Sequence, residues 1–273
     1  MYKIGLSSSA FELNAENFCK IRESGLEAIE VSEGYDGSKQ LNYSALASLS
    51  SEYGIKLWSF HLPFFPFKII DVSSLNKELR DNALLLYTEL IKKASDIGID
   101  KFVLHPSGEP IADEDREERI KYSMQSLDTL AELAHRHGAR IAVEDLPRSC
   151  LGNTPDELLR LISVNDKLRV CFDINHLLKD TPLDLINKLG DKIITLHVSD
   201  YDRIDERHWL PGEGVNDWSG IYEALRKVGY DGVWMYEVGF RSKTITRSRD
   251  LTFSDYYENA REIFEGRTPK RIY

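Results

Sequence analysis

Eight short apolar segments alternate with eight longer helical segments along this chain of 273 residues. The sequence predicts strands near 3–8, 28–32, 57–62, 102–107, 141–146, 169–174, 193–199 and 232–238. It predicts helices near 14–24, 41–53, 75–97, 113–137, 155–164, 182–189, 217–228 and 254–265. Such alternation indicates parallel βαβ units. Eight units in a chain of this length predict an α/β fold of the (β/α)8, or TIM barrel, type, with one domain over residues 1–273.

Six of the predicted strands end in a histidine or a carboxylate. The residues are His61, His105, Glu144, Asp173, His197 and Glu237. A core strand has no structural need for such a residue, because burying an unpaired charge costs free energy. In these barrels the active site lies at the carboxyl ends of the strands, where all six residues fall. The repetition therefore predicts one shared pocket.

The alternation of side chains along a strand predicts that these polar groups point into the barrel. Residues i and i+2 share a face, so Cys171 lies on the same face as Asp173 and opposite Phe172. In the last strand, Glu237 lies opposite Trp234. The smaller face would line the barrel, and the bulky face would pack against the helices.

Three carboxylates and one imidazole come from strands five to eight. They are Glu144, Asp173, His197 and Glu237. This donor set suits a divalent ion such as Mn, Mg, Co or Zn. Without a cation the three carboxylates would repel one another. The alternative is a network of salt bridges, but the strand ends carry no inward-facing Lys or Arg to form one. We therefore expect these four residues to hold a metal ion.

Further polar residues are candidates for contacts in the same pocket. His61 and His105 are expected to contact substrate or act as extra ligands, and simple packing is the alternative. His176 lies three residues after Asp173, a spacing that suits a turn facing the same cavity. Glu30 would form the floor of the pocket or hold a ligand by a hydrogen bond.

Two loops are expected to border the pocket. The segment PFFPF, residues 63–67, follows His61 and is interpreted as an apolar wall or lid. The loop after the seventh strand holds Arg203, Glu206 and His208 before a Pro-Gly-Glu-Gly turn. Trp209 in that loop indicates that the loop folds back over another part of the protein and is more than a solvated connection.

Composition restricts the function classes. The net charge of −10 argues against nucleic acid as a partner, because that binding relies on Lys and Arg. We see no apolar run of the roughly 20 residues that a membrane span needs. We see no signal-peptide pattern, and three cysteines fit a reducing compartment. We therefore expect a cytoplasmic protein.

The motifs AVEDLP, CFDINHLL and LHVSDYD…RHWLPGEGVNDW, with the Glu237 strand, resemble the xylose isomerase-like TIM barrel superfamily. This superfamily includes sugar phosphate isomerase/epimerase-type proteins, ketose 3-epimerases, inosose dehydratase and endonuclease IV. The likeness to the ketose 3-epimerases implies one Mn-type ion on the four residues of strands five to eight. It also implies substrate contacts from His176 and from Arg203, which lies six residues after His197 in a longer loop. His61, His105 and His208 complete the expected substrate contacts.

The resemblance implies a metal-dependent isomerase or epimerase acting on a small sugar or sugar derivative. The metal would stabilise an enediolate, and Glu144 and Glu237 would act as acid and base as well as ligands. These residues stand on strands separated by two others, so they can flank a substrate. Related barrels often form dimers or tetramers, although no segment here indicates a specific interface.

Other functions remain open at this stage. An inosose-type dehydratase would use the same pocket, and a non-catalytic sugar-binding barrel would need no intact ligand set. An endonuclease IV-like phosphodiesterase would bind three zinc ions. Its nine ligands have candidates in His61, His105, Glu144, Asp173, His176, His197, Glu206, His208 and Glu237. Glu206 stands where the endonuclease motif has Asp, and the acidic net charge also argues against DNA.

Overall fold

The computed structural model describes residues 1–272. Within them, eight parallel strands form the inner layer: β1 (Lys3–Ser7), β2 (Ala28–Ser32), β3 (Lys56–His61), β4 (Lys101–Leu104), β5 (Arg140–Glu144), β6 (Arg169–Asp173), β7 (Ile193–His197) and β8 (Val233–Tyr236). The outer layer within the same residues consists of α1 (Ala15–Ser24), α2 (Tyr35–Gln40), α3 (Tyr43–Tyr53), α4 (Lys77–Ser95), α5 (Arg116–Arg136), α6 (Pro155–Ile162), α7 (Pro182–Leu189), α8 (Trp218–Lys227) and α9 (Phe253–Phe264). Over this range we find no helix with the length and apolar character to cross a membrane.

The strands follow one another around the sheet in chain order, and β8 lies beside β1. A parallel bridge between Val198 and Tyr236 joins the ends of β7 and β8. There the Val198 amide donates to the Met235 carbonyl at 2.8 Å, and the Glu237 amide donates to the Val198 carbonyl at 3.2 Å. These bonds bring the two edge strands together, so the predicted TIM barrel is confirmed.

The predicted element bounds differ from the structure in a few places. Helix α2 was not predicted, because its six residues are too few to show a helical period of apolar positions. Strands β4 and β8 end earlier than expected, so His105 and Glu237 lie one residue beyond them. Pro106 follows His105 and has no amide hydrogen to extend the ladder.

The two faces of the strands carry different side chains. Small residues fill the barrel interior below the pocket, including the cluster of Val103, Ala142 and Cys171. Phe172 and Trp234 belong to the large outer core between strands and helices. The predicted alternation is therefore confirmed, and it directs the last inward residue of each strand to the open end of the barrel.

Candidate functional site

The carboxyl ends of the strands gather the predicted polar residues at one end of the barrel. His61, Glu144, Asp173 and His197 are the last residues of β3, β5, β6 and β7. Donor atoms of Glu144, Asp173, His197 and Glu237 lie within 4.8 Å of one another. From Nδ1 of His197 the distances are 3.0 Å to Glu144, 3.2 Å to Glu237 and 3.6 Å to Asp173. The four residues predicted to bind a metal thus form one cluster.

Two carboxylate oxygens of this cluster are buried without a hydrogen bond, Oε2 of Glu144 and Oδ2 of Asp173. The other oxygen of Asp173 accepts the Asn175 amide at 2.7 Å. Buried polar atoms in proteins are nearly always paired, and an unpaired buried charge is costly. Oε2 of Glu144 faces His61 and His105, whereas Oδ2 of Asp173 faces His176 and His197. The cluster therefore fits a bound divalent ion.

The ion pairs of Glu144, Asp173 and Glu237 within residues 1–272 involve histidines and neither Lys nor Arg. Glu144 Oε2 lies 3.0 Å from Nε2 of His105 and 3.2 Å from Nε2 of His61, although the angles give no hydrogen bond. Since neutral imidazoles cannot balance three carboxylates, the salt-bridge alternative would require several protonated histidines.

The electrostatics of the cluster favour ionised carboxylates beside protonated histidines. Burial by itself would raise the pKa of Glu144, but the nearby imidazoles of His197 and His105 hold that pKa well below its usual range. Burial would lower the pKa of His197, but Cys171 and the carboxylates of Glu237, Glu30 and Glu144 raise that pKa well above its usual value. Metal ligands must be deprotonated, so a bound ion would replace these protons.

Glu30 lies beneath the cluster, on β2. Its two carboxylate oxygens are 3.0 and 3.1 Å from Nε2 of His197. The Ser59 hydroxyl donates to the same carboxylate at 2.8 Å, and all three residues are buried. A carboxylate on one ring nitrogen commonly orients a histidine whose other nitrogen binds a metal. Of the two roles considered for Glu30, the structure shows the hydrogen bond.

The other predicted histidines line a cavity of about 140 Å³ above the cluster, which His61, His105, His176 and His208 share with Glu144 and Glu237. Nδ1 of His176 donates to the Asp145 carbonyl at 2.8 Å, and its Nε2 lies 3.2 Å from Glu206. These contacts fix the orientation of the His176 imidazole at the cavity.

Two arginines differ from expectation in opposite ways. Arg203 is exposed, does not line the cavity, and donates to the Asp180 carbonyl at 2.6 Å. Arg148 lines the cavity and forms ion pairs with Glu109, Asp205 and Glu206. Arg148 follows β5 in an irregular loop at a φ of 52°, so no strand periodicity pointed to it.

The loop after β7 folds back over the barrel end, as Trp209 indicated. Asp200 is fully buried, and its carboxylate accepts hydrogen bonds from the backbone amides of Gly212, Gly214 and Asn216 at 2.8, 3.0 and 3.2 Å. A Cβ at Gly214 would lie 2.3 Å from the Tyr201 carbonyl oxygen, so the close turn requires glycine there. This fold places Glu206 and His208 at the cavity.

Aromatic residues after β3 form one wall of the cavity, as the PFFPF segment suggested. Phe64 stacks on His105 with the ring centroids 4.1 Å apart and the planes 14° from parallel. Phe67 also lines the cavity. The polar cluster therefore opens toward an apolar surface, an arrangement common in small-molecule sites.

Comparison with known proteins assigns the family. A family model described as "Xylose isomerase-like TIM barrel" matches residues 18–254. The chain belongs to this family. It is 29% identical over 243 residues to an uncharacterised protein of Methanocaldococcus jannaschii, covering 85% of this chain and 82% of that protein. The chain's membership of this barrel family is what the sequence motifs predicted.

Two other similarities concern proteins with named activities. A solved structure titled "Crystal structure of D-tagatose 3-epimerase-like protein" has a TM-score of 0.82 and 25% identity, covering 96% of this chain and 97% of that one. A probable endonuclease 4 of Acholeplasma laidlawii is 30% identical over 177 residues. That match covers 62% of this chain and 56% of the relative, so the chain spans little more than half of the endonuclease.

Proposed function

We propose that this barrel is a divalent-metal-dependent isomerase or epimerase of a sugar or sugar derivative. The observation that carries the proposal is the cluster of Glu144, Asp173, His197 and Glu237 with its unpaired buried oxygens. The epimerase-like structural neighbour, which matches over nearly the full length of both chains, supports the choice of sugar chemistry.

The four residues of the cluster would hold one ion, Mn, Mg, Co or Zn by their donor types. The bound ion would act as a Lewis acid on a substrate carbonyl and stabilise negative charge next to it. Glu30 keeps Nδ1 of His197 directed at the other three ligands. These residues would bind and orient the metal ion, and Glu144 and Glu237 would in addition transfer protons.

Glu144 and Glu237 are suited to act as the acid/base pair. They stand at β5 and β8, with β6 and β7 between them, and both line the cavity. One carboxylate would take the proton from the carbon next to the substrate carbonyl, leaving an enediolate. The other would return a proton to the opposite face of that carbon or to its neighbour. Because one proton is removed and one is returned, the product has the same formula as the substrate and is its epimer or isomer.

The remaining cavity residues would select and hold the sugar. His61, His105, His176 and His208 can form hydrogen bonds with hydroxyl groups. Phe64 would shield the reacting atoms from water. Arg203 would reach a substrate only after its loop moved, and Arg148 is the cationic residue at the cavity itself.

A second candidate is a trinuclear phosphodiesterase of the endonuclease IV type. Two further groups have donors within 4.8 Å, namely His61, His105 and Glu144, and His176, Glu206 and His208. Three zinc ions could occupy these positions together with the main cluster. The net charge of −10 opposes binding to DNA, so this function ranks second. A dehydratase would use the main cluster and expel a hydroxyl from the same enediolate.

Solvent exchange tests the proposal. Metal-loaded protein is incubated in D₂O with a panel of free ketohexoses and inososes, and NMR follows deuterium entering the carbon next to the carbonyl. The proposal expects exchange with at least one sugar, and loss of epimer or isomer formation from that sugar in Glu237→Gln. Cleavage of an abasic-site duplex without exchange in any sugar would instead support the phosphodiesterase.

A further inference from the structure

A second cavity adjoins the catalytic cavity. It has a volume of about 490 Å³, and the two cavities share His61 and Phe64 as lining residues. The remaining walls come from the end of β2 and the start of α2, residues 32–37, and from the loop after β3, residues 63–66. Its position beside His61 connects it with the site where the reacting sugar would bind.

The sizes of the two cavities indicate that the substrate extends across both. The catalytic cavity, at about 140 Å³, is smaller than the roughly 300–1,000 Å³ of ordinary ligand pockets. The adjoining cavity, at about 490 Å³, falls within that range. A ligand that filled only the first would leave the larger apolar space next to it unused.

The lining of the second cavity suits an uncharged ring. Phe64 and Phe65 are 40% and 62% exposed, although large aromatic side chains are usually mostly buried. Their faces can stack against the C–H face of a sugar ring. Glu33, just before α2, and Asp36, in its first turn, also line this cavity and can accept hydrogen bonds from hydroxyl groups. The residues lining this cavity include neither Lys nor Arg, which disfavours a phosphate or carboxylate there.

We propose that the substrate carries a second, neutral sugar ring joined by a glycosidic bond to the reacting keto sugar. The reacting sugar lies beside Glu144 and Glu237, and the second ring stacks on Phe65 in the adjoining cavity. The inference rests on the proposed function and adds its substrate class. Phe65 is then a specificity residue without contact to the reacting atoms, since it lines only the second of the two cavities.

The test compares free ketohexoses with ketohexoses that carry a second sugar. D-Fructose and D-tagatose are measured beside lactulose and isomaltulose, with NMR-detected solvent exchange giving kcat/KM on metal-loaded protein. The variants are Phe65→Ala and the control Leu183→Ala, which removes an exposed apolar side chain from α7. We expect at least one disaccharide to be preferred about tenfold or more in the wild type. A tenfold preference corresponds to about 1.4 kcal/mol, the size of one aromatic contact such as that of Phe65 with the second ring.

Phe65→Ala should remove this preference and leave kcat/KM for the free ketohexoses unchanged, whereas Leu183→Ala should change neither. Exchange with free ketohexoses but not with disaccharides would overturn the inference and leave the proposed function standing. A Phe65→Ala variant in which kcat/KM falls equally for free ketohexoses and for disaccharides would also overturn the inference. Exchange with none of the four sugars would count against the proposed function itself, and this inference would fall with it.

Discussion

Both carboxylate oxygens of Glu30 lie within 3.1 Å of Nε2 of His197, inside the barrel and out of contact with water. Nε2 of the imidazole therefore faces Glu30, and Nδ1 faces Glu144, Asp173 and Glu237. If His197 binds the proposed metal, a residue on the second strand would thus orient a ligand on the seventh strand. This relationship makes the site testable without knowledge of the substrate.

The first prediction concerns Glu30→Gln. The amide accepts the Nε2 hydrogen more weakly than a carboxylate does. The His197 ring should therefore be less firmly oriented and less basic. We expect metal affinity to fall by about 10- to 100-fold, measured by isothermal titration calorimetry on chelator-treated protein. Glu27→Gln, at an exposed position one residue before β2, is the matched control. Equal affinity of a folded Glu30→Gln variant and wild type would contradict this role.

The second prediction concerns the two glutamates proposed as acid and base. At saturating metal, Glu144→Gln and Glu237→Gln should each lower turnover by roughly 10²- to 10⁴-fold, the usual contribution of a positioned proton-transfer group. Substrate binding should largely persist, because the hydrogen-bonding histidines remain. Solvent exchange and substrate titration measure the two effects, with the exposed Glu223→Gln on α8 as control. Near-normal turnover in both variants would show that Glu144 and Glu237 are not the acid and base.

The third prediction concerns metal removal. The ion would bind the folded cluster and not the unfolded chain, so it should stabilise the native state. At a free concentration of 100 times Kd the expected gain is about 2.7 kcal/mol. Urea unfolding of chelator-treated protein, with and without added Mn or Zn, measures it. In Asp173→Ala this gain should largely vanish. If no divalent ion tested changes the unfolding midpoint of the wild-type protein, the result would argue against the metal site.

The fourth prediction concerns Asp200, which organises the loop that carries Glu206 and His208. Besides the backbone amides of Tyr201, Gly212, Gly214 and Asn216, its carboxylate accepts the Trp218 indole N–H at 2.9 Å. Asp200→Ala would leave these buried donors unpaired and should destabilise the protein by roughly 2–4 kcal/mol. Urea unfolding measures the change. Asp166→Ala, at a side chain that is 94% exposed, should stay within about 0.5 kcal/mol of wild type. Matching midpoints for both variants would show that the loop does not depend on Asp200.

Much of the fold and of the metal cluster could be predicted from sequence, because both depend on local periodicity. A strand such as VCFD shows its inward face by alternation alone, and its last inward residue must reach the pocket in any parallel barrel. The proximity of Asp173 and His197 could be predicted from strand order alone, because they end neighbouring strands. Helix α2 escaped prediction because six residues carry too little periodicity.

Contacts set by irregular backbone could not be predicted. Arg148 reaches the cavity from a left-handed backbone position in a loop, and Arg203 is turned away toward Asp180. The pairing of Glu30 with His197 crosses the barrel between strands that are not neighbours. The sequence placed Glu30 near the floor of the pocket, and only the packing of the interior shows which ring nitrogen it holds.

Metal content per chain tests the central claim most directly. Protein purified without chelator is analysed by elemental mass spectrometry, beside Asp173→Ala and the exposed control Asp166→Ala. The account predicts about one Mn, Mg, Co or Zn per chain in wild type and control, and its loss in Asp173→Ala. Three zinc ions per chain would contradict a mononuclear sugar enzyme and favour the phosphodiesterase. A protein that binds no divalent ion, even after reconstitution, would contradict the metal site altogether.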